Sequence, residues 1–149
     1  MTITKEELLK GRDQTYPNDY TQEISDNLDK LLIVMNKIRD AYGVPMRVTS
    51  GWRPPSINAS TPGAAPKSNH IRGLAVDIAD ADGKLMNWVL ENLSMMKDLG
   101  LYFENFNYCP VWVHFQYIAP SSGKRIFIPY AGNPPSNRWN EQYDESFDD

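Results

Sequence analysis

Residues 68–77 read SNHIRGLAVD, and the interpretation of the whole chain begins from them. The stretch contains His70, one of only two histidines in the 149 residues, and it ends at Asp77. The second histidine, His114, lies in the sequence WVHFQ at residues 112–116. Two imidazoles and a carboxylate, with one position left open, are a usual ligand set of a catalytic zinc ion. The alternative is two unrelated histidines and an aspartate that caps a helix.

The sequence LAVDI at residues 74–78 predicts a buried strand. Side chains alternate along a strand, so Asp77 would share a face with Ala75, whose small size leaves room for an ion. His70 precedes the Gly73 turn and can fold back over the end of this strand. A helix would instead separate positions 70 and 77 by about 10 Å along its axis. The strand is therefore the conformation that favours a metal site.

Residues 111–117 predict a second strand, on which His114 shares a face with Trp112 and Gln116. A carboxylate and an imidazole from neighbouring strands, together with a loop imidazole, can converge on one ion. Trp112 can either wall a substrate cleft or belong to the core, and the sequence leaves both interpretations open.

Hydrophobic periodicity and the positions of glycine and proline predict the other elements. We expect helices at about 4–11, 21–41 and 84–97, strands at 46–50, 101–103 and 125–128, and a long polar loop at 51–67. This order predicts a single α+β domain with a small, mainly antiparallel sheet packed against helices. The domain is expected to span residues 1–135, and residues 136–149 are expected to form a flexible acidic tail.

The composition is typical of a soluble globular protein, with 41% hydrophobic and 23% charged residues. A net charge of -4 gives no electrostatic footprint for nucleic acid or an anionic membrane. The single cysteine, Cys109, excludes an intrachain disulfide and a multi-cysteine zinc site, and we expect an inert thiol. The first residues show no secretory signal and no apolar run approaches a membrane span, which predicts synthesis in the cytoplasm.

The motif S-x-H-x-x-G-x-A-x-D at residues 68–77, followed by W-x-H at 112–114, resembles the zinc D-alanyl-D-alanine carboxypeptidase family of murein peptidases. That family includes phage endolysins that cut L-alanyl-D-glutamate bonds and the vancomycin-resistance dipeptidases, and the hedgehog signalling fold is a relative. The sequence VTSGWRP at residues 48–54 is similar to the family's segment before the first ligand. The resemblance covers roughly residues 20–130 and implies a hedgehog-type fold.

The resemblance also implies a role for individual residues. It makes His70, Asp77 and His114 the zinc ligands. It implies that Arg53 binds a substrate carboxylate or polarises the scissile carbonyl, and that Ser68 supports the substrate site. A planar guanidinium with a permanent charge suits a carboxylate or a developing oxyanion. The alternative for Arg53 is a surface charge at the end of a strand.

The expected general base departs from the family's pattern. Many members carry an aspartate or glutamate three residues before the last histidine, and here that position is Val111. The nearest acid is Glu104, ten positions before His114, and some relatives place an acid farther upstream. We therefore predict Glu104 as the catalytic base, with an exposed strand-end charge as the alternative.

Together these features predict a zinc metallopeptidase that hydrolyses peptidoglycan stem-peptide bonds. The two candidate types are a D-Ala-D-Ala carboxypeptidase and an L-Ala-D-Glu endopeptidase. Synthesis in the cytoplasm is consistent with a phage endolysin that acts on the cell wall after release. It is equally consistent with a cytoplasmic dipeptidase. Because Val111 replaces the usual acid, a zinc-stabilised binding or virion module without catalysis is the alternative function.

Overall fold

A computed structural model describes residues 2–139. The helices are α1 (Lys5–Leu9), α2 (Arg12–Thr15), α3 (Gln22–Tyr42), α4 (Pro55–Ala59), α5 (Lys84–Glu91) and α6 (Leu93–Asp98). The strands are β1 (Val48–Ser50), β2 (Ala75–Ala79), β3 (Tyr102–Glu104), β4 (Trp112–Gln116) and β5 (Ile126–Phe127), with a 3-10 turn at Phe106–Tyr108.

The strands form one sheet in the order β1-β2-β4-β3-β5. Strands β3 and β4 are antiparallel, whereas β3 and β5 are parallel, so the sheet is mixed. The predicted α+β domain is confirmed, and the description of its sheet as mainly antiparallel is roughly right. None of the helices within residues 2–139 has the length and apolar character required to cross a membrane.

Internal contacts divide the chain into two compact units, and the boundary follows Asp77, inside β2. The first unit contains helices α1 to α4 and strand β1, and it carries His70. The second unit contains α5, α6 and strands β3 to β5, and it carries Glu104 and His114.

The N-terminal residues of the first unit are tied to its longest helix. Thr4 begins α1 with a capping box. The Asn36 side chain on α3 accepts a hydrogen bond from the Ile3 amide at 2.7 Å and donates one to the Ile3 carbonyl at 3.1 Å. Helix α3 buries Leu28, Leu31, Val34, Met35 and Ile38. This helix therefore forms the main support of the unit.

The long loop expected at residues 51–67 contains a short helix, α4, which the sequence prediction missed. Its five residues are too few to show helical periodicity, and its first residue is Pro55, a residue favoured at the start of a helix. Asn58 on this helix is buried, and its amide donates to the Ala65 carbonyl at 2.8 Å. The contact holds the second half of the loop against α4.

The predicted helix at 84–97 begins as expected but is divided. The Asp80 carboxylate accepts hydrogen bonds from the Leu85 and Met86 amides at 2.9 Å and thereby caps the start of this helix. The break between α5 and α6 lies at Asn92, whose φ is -125° and whose side chain donates to the Trp88 carbonyl at 2.8 Å. An asparagine amide that competes for a backbone carbonyl in this way interrupts a helix locally.

Strands β3 and β4 are held in a fixed register. The aligned pairs are Tyr102 with Gln116 and Phe103 with Phe115. The two phenylalanines are fully buried, with ring centroids 5.2 Å apart. One step farther along the same register, Glu104 stands opposite His114. Directly opposed side chains lie on the same face of an antiparallel pair.

Residues 136–139 bond to the loop between these strands. The Ser136 hydroxyl donates to the Asn107 carbonyl at 2.9 Å, and the Trp139 amide donates to the Asn107 side chain at 2.7 Å. The Trp139 ring meets the Phe106 ring edge-on at 5.5 Å. The acidic tail was expected from residue 136 onward. Its residues 140–149 lie outside those described, and the domain boundary stays a prediction.

Candidate metal centre

The backbone around His70 is held on both sides. The Trp52 indole, fully buried, donates to the Ile71 carbonyl at 2.9 Å. The Arg53 amide donates to the His70 carbonyl at 3.1 Å, and the His70 amide donates to the Ser68 hydroxyl at 3.1 Å. The motif residues at 52–53 and at 68 therefore fix the turn that carries the first histidine. Ser68 supports the turn, and a contact of Ser68 with substrate stays a prediction.

The His70 ring is oriented by a backbone carbonyl. Its Nδ1 lies 2.8 Å from the carbonyl oxygen of Gly51. Because a carbonyl oxygen only accepts hydrogen bonds, Nδ1 carries a proton, and in the neutral ring Nε2 therefore presents the lone pair. That Nε2 lies 3.3 Å from Oδ1 of Asp77, and both side chains are buried. An imidazole held through its other nitrogen in this way is typical of a metal ligand.

His114 on β4 is buried and has polar groups beside both ring nitrogens. Its Nε2 lies 2.8 Å from Oε1 of Gln116, and its Nδ1 lies 3.4 Å from Oε1 of Glu104. The Glu104 side chain is 25% exposed, so solvent reaches it. The structure therefore brings the predicted base and the last predicted ligand together.

His70, Asp77 and His114 each offer one ligand atom, and these atoms lie within 4.8 Å of one another. Two ligands at about 2.0–2.1 Å from a tetrahedral ion lie about 3.3 Å apart. The spacing between Nε2 of His70 and Oδ1 of Asp77 is also 3.3 Å. Two imidazole nitrogens and a carboxylate oxygen are a donor set that zinc accepts. These residues therefore fit a zinc ion.

Arg53 lies beside this group, and its guanidinium is held by several partners. Its Nε donates to Ser50 Oγ at 3.0 Å, and Nη1 donates to Asn58 Oδ1 at 3.3 Å. Its Nη2 lies 3.5 Å from Oδ2 of Asp77, and only 11% of the side chain is exposed. Arg53 is thus not a solvated charge at a strand end. Its predicted contact with substrate stays a prediction.

Trp112 is half-buried at the start of β4, on the face that its alternation with His114 predicts. Its indole nitrogen is buried and has no hydrogen-bond partner within residues 2–139. The ring therefore combines an inaccessible polar atom with partly exposed surface. A contact of Trp112 with substrate stays a prediction.

The departure from the family's pattern has a topological explanation. Val111, where many relatives carry an acid, is 55% exposed. Glu104 instead reaches His114 from the neighbouring strand, directly across the β3–β4 pair. The buried Cys109 thiol, in the connecting loop, donates weakly to Oε1 of Glu104 at 3.8 Å. Cys109 is not among the metal-ligating residues.

The sequence did not reveal the groups that orient the predicted site residues. Gln116 carried a signal, since it alternates with His114 on one strand face. The Gly51 carbonyl and the Asn58 amide carried none, because their roles depend on how the 51–67 loop folds. These contacts lie around the predicted site, and the list of predicted site residues is the same with them.

No curated protein and no solved structure matches the chain. A family model described as Peptidase M15 matches residues 1–114 of the 149. The matched region contains all three potential ligands, Arg53 and Glu104. The chain therefore belongs to the peptidase M15 family, the zinc D-alanyl-D-alanine carboxypeptidase family that its motifs resemble.

Proposed function

We propose that this chain is a zinc-dependent peptidase that hydrolyses peptidoglycan stem-peptide bonds, with His70, Asp77 and His114 as the metal ligands. The observation that carries the proposal is the buried group of these three side chains, with the Glu104 carboxylate beside His114. Membership of the peptidase M15 family supports the same reaction class.

Glu104 is suited to move the proton during hydrolysis. A zinc ion held here would supply Lewis acidity, which lowers the pKa of a water ligand to about 7 and polarises the carbonyl under attack. The Glu104 carboxylate, 3.4 Å from a ligand nitrogen and partly exposed, takes the proton of the attacking water and delivers it to the leaving amine. The thiol of Cys109 holds one oxygen of this carboxylate.

Arg53 is suited to bind a negative charge on the substrate. Its guanidinium is fixed by Ser50 and Asn58, so little side-chain freedom is lost when a substrate carboxylate or developing oxyanion contacts it. Stem peptides carry such carboxylates. Ser68 supports the turn below, and Trp112 offers a partly exposed aromatic surface for the peptide.

The proposal also concerns which peptide bond is cut. Removal of a terminal D-alanine and cleavage between L-alanine and D-glutamate are the two candidates. Action on the cell wall after release from the cytoplasm, as in a phage endolysin, is the setting we propose. A zinc-binding module without catalysis is the alternative, and the Glu104 carboxylate beside His114 argues against it.

The test uses purified full-length protein, purified murein and defined stem peptides. With zinc, we expect new amino groups to appear, and a chelator should abolish their release. Fragment masses then identify the bond. Asp77→Asn should lose both zinc and activity, whereas the same change at exposed Asp82 should alter neither. Tight zinc binding with intact murein would favour the binding module, and absence of zinc would overturn the metal site.

A further inference from the structure

The side-chain amide of Gln116 has only one orientation that its neighbours accept. Gln116 is buried, and one end of its amide faces the Ile118 carbonyl oxygen at 2.9 Å. A carbonyl oxygen cannot donate, so the amide nitrogen must lie at this end. The amide oxygen therefore points in the other direction, toward Nε2 of His114 at 2.8 Å.

This orientation determines which nitrogen of His114 carries the proton. The amide oxygen is an acceptor, so a 2.8 Å contact requires a hydrogen on Nε2. In a neutral imidazole, Nδ1 then holds the lone pair. That nitrogen is the one beside Glu104, at 3.4 Å. The lone pair of His114 is thus directed to the side of the strand where the predicted base lies.

The two histidines are consequently held in opposite tautomers. The Gly51 carbonyl places the proton of His70 on Nδ1, and Gln116 places the proton of His114 on Nε2. We infer that Gln116 is a positioning residue that fixes His114 for metal binding through Nδ1. The inference rests on the proposed function, because it assumes that a metal ion binds to His114. Partners of this kind typically contribute 10–100-fold to metal affinity.

The experiment is nitrogen NMR of full-length protein labelled only at histidine, recorded at alkaline pH where imidazole is neutral. Only two imidazoles contribute, so their ring-nitrogen signals are readily separated. Wild-type protein should show one ring protonated at Nδ1 and one at Nε2, the latter being absent or shifted in His114→Ala. Gln116→Leu should release His114 from the Nε2–H tautomer and lower zinc affinity about 10–100-fold. His70 serves as the internal control.

Gln116→Glu loses the donor to the Ile118 carbonyl but keeps an oxygen that accepts from Nε2, so His114 should keep the wild-type tautomer. If Gln116→Leu does not fold, this variant and the wild-type spectrum still decide the question. A wild-type His114 protonated at Nδ1, or a Gln116→Leu protein with unchanged tautomer and zinc affinity, would overturn the inference. Zinc binding with the expected tautomers but no murein hydrolysis would overturn the proposed function and leave the role of Gln116 intact.

Discussion

Glu104 and His114 face each other across the β3–β4 pair, with Oε1 of the acid 3.4 Å from Nδ1 of the imidazole. The nine residues between them in sequence include the turn at Phe106–Tyr108, so the chain reverses and returns on the neighbouring strand. Cross-strand pairing therefore brings the Glu104 carboxylate beside His114, although ten positions separate the two residues in sequence.

Replacing Glu104 with glutamine should remove the proton acceptor while the side chain keeps its size. We expect murein hydrolysis to fall about 10²–10⁴-fold, the usual contribution of general acid–base catalysis, with zinc content unchanged. Amino-group release and metal analysis on the same samples provide the measurement. The same change at exposed Glu91 should have no effect. Equal activity of Glu104→Gln and wild type would show that another group moves the proton.

Zinc should stabilise the folded chain by mass action. At free zinc about 100 times the Kd, binding contributes about 2.7 kcal/mol, or roughly 5–10 °C in Tm for a protein of this size. Thermal unfolding with zinc and with chelator measures the difference, and His114→Ala should show little of it. A wild-type Tm that does not respond to zinc would contradict the predicted ligand set.

The grouping of three potential metal ligands could be predicted because their sequence signals are local. His70, Asp77 and His114 lie in short motifs, and period-two alternation places the last two on strand faces. The groups that orient them could not be predicted with the same ease. Gly51 lies 19 residues from His70, and its contact requires the fold of the intervening chain. The helix α4 was missed for a related reason, since five residues carry no periodic signal.

Position 51 should require glycine, because the backbone of Leu8 approaches it closely. An added Cβ would lie 2.1 Å from the carbonyl oxygen of Leu8, a backbone atom that cannot move aside as a flexible side chain would. Gly51→Ala should therefore cost about 3 kcal/mol of unfolding free energy or more, and it should displace the carbonyl that orients His70. Denaturant unfolding and zinc titration measure the two effects.

Gly123→Ala is the matched control for this change. Its φ is +74°, and an added Cβ would have no neighbour within 4 Å. The strain of the left-handed backbone alone should lower the free energy of unfolding, by about 1–2 kcal/mol, and zinc affinity should be retained. Comparable zinc affinity in Gly51→Ala and Gly123→Ala would remove the proposed link between the Gly51 carbonyl and His70.

Arg53→Lys should keep the positive charge but lose the planar fork that contacts Ser50, Asn58 and Asp77. An ammonium cannot reproduce this set of directions, so we expect kcat/KM to fall about 10–100-fold. Steady-state kinetics on a defined stem peptide measures the change, and exposed Arg47→Lys is the control. If zinc content falls in parallel, Arg53 acts through Asp77 rather than on the substrate.

Arg138 should contribute to stability through a buried ion pair. Its guanidinium bonds to the Asp80 carboxylate and also donates to the carbonyls of Cys109, at 2.7 Å, and Trp112, at 3.2 Å. Removing the guanidinium leaves the buried Asp80 charge without this partner, which typically costs 3–5 kcal/mol. Arg138→Met should therefore lower the unfolding free energy by about this amount in denaturant titrations.

The exposed pair between Lys84 and Asp82, with 4.0 Å between nitrogen and oxygen, provides the control for Arg138. Lys84→Met should cost less than about 1 kcal/mol, because solvent screens an exposed pair. In the double variant Arg138→Met with Asp80→Asn, part of the loss should return, since the buried charge is gone while the amide oxygen still caps α5. Additive losses in the double variant would mean that Arg138 stabilises the fold through the two carbonyls alone.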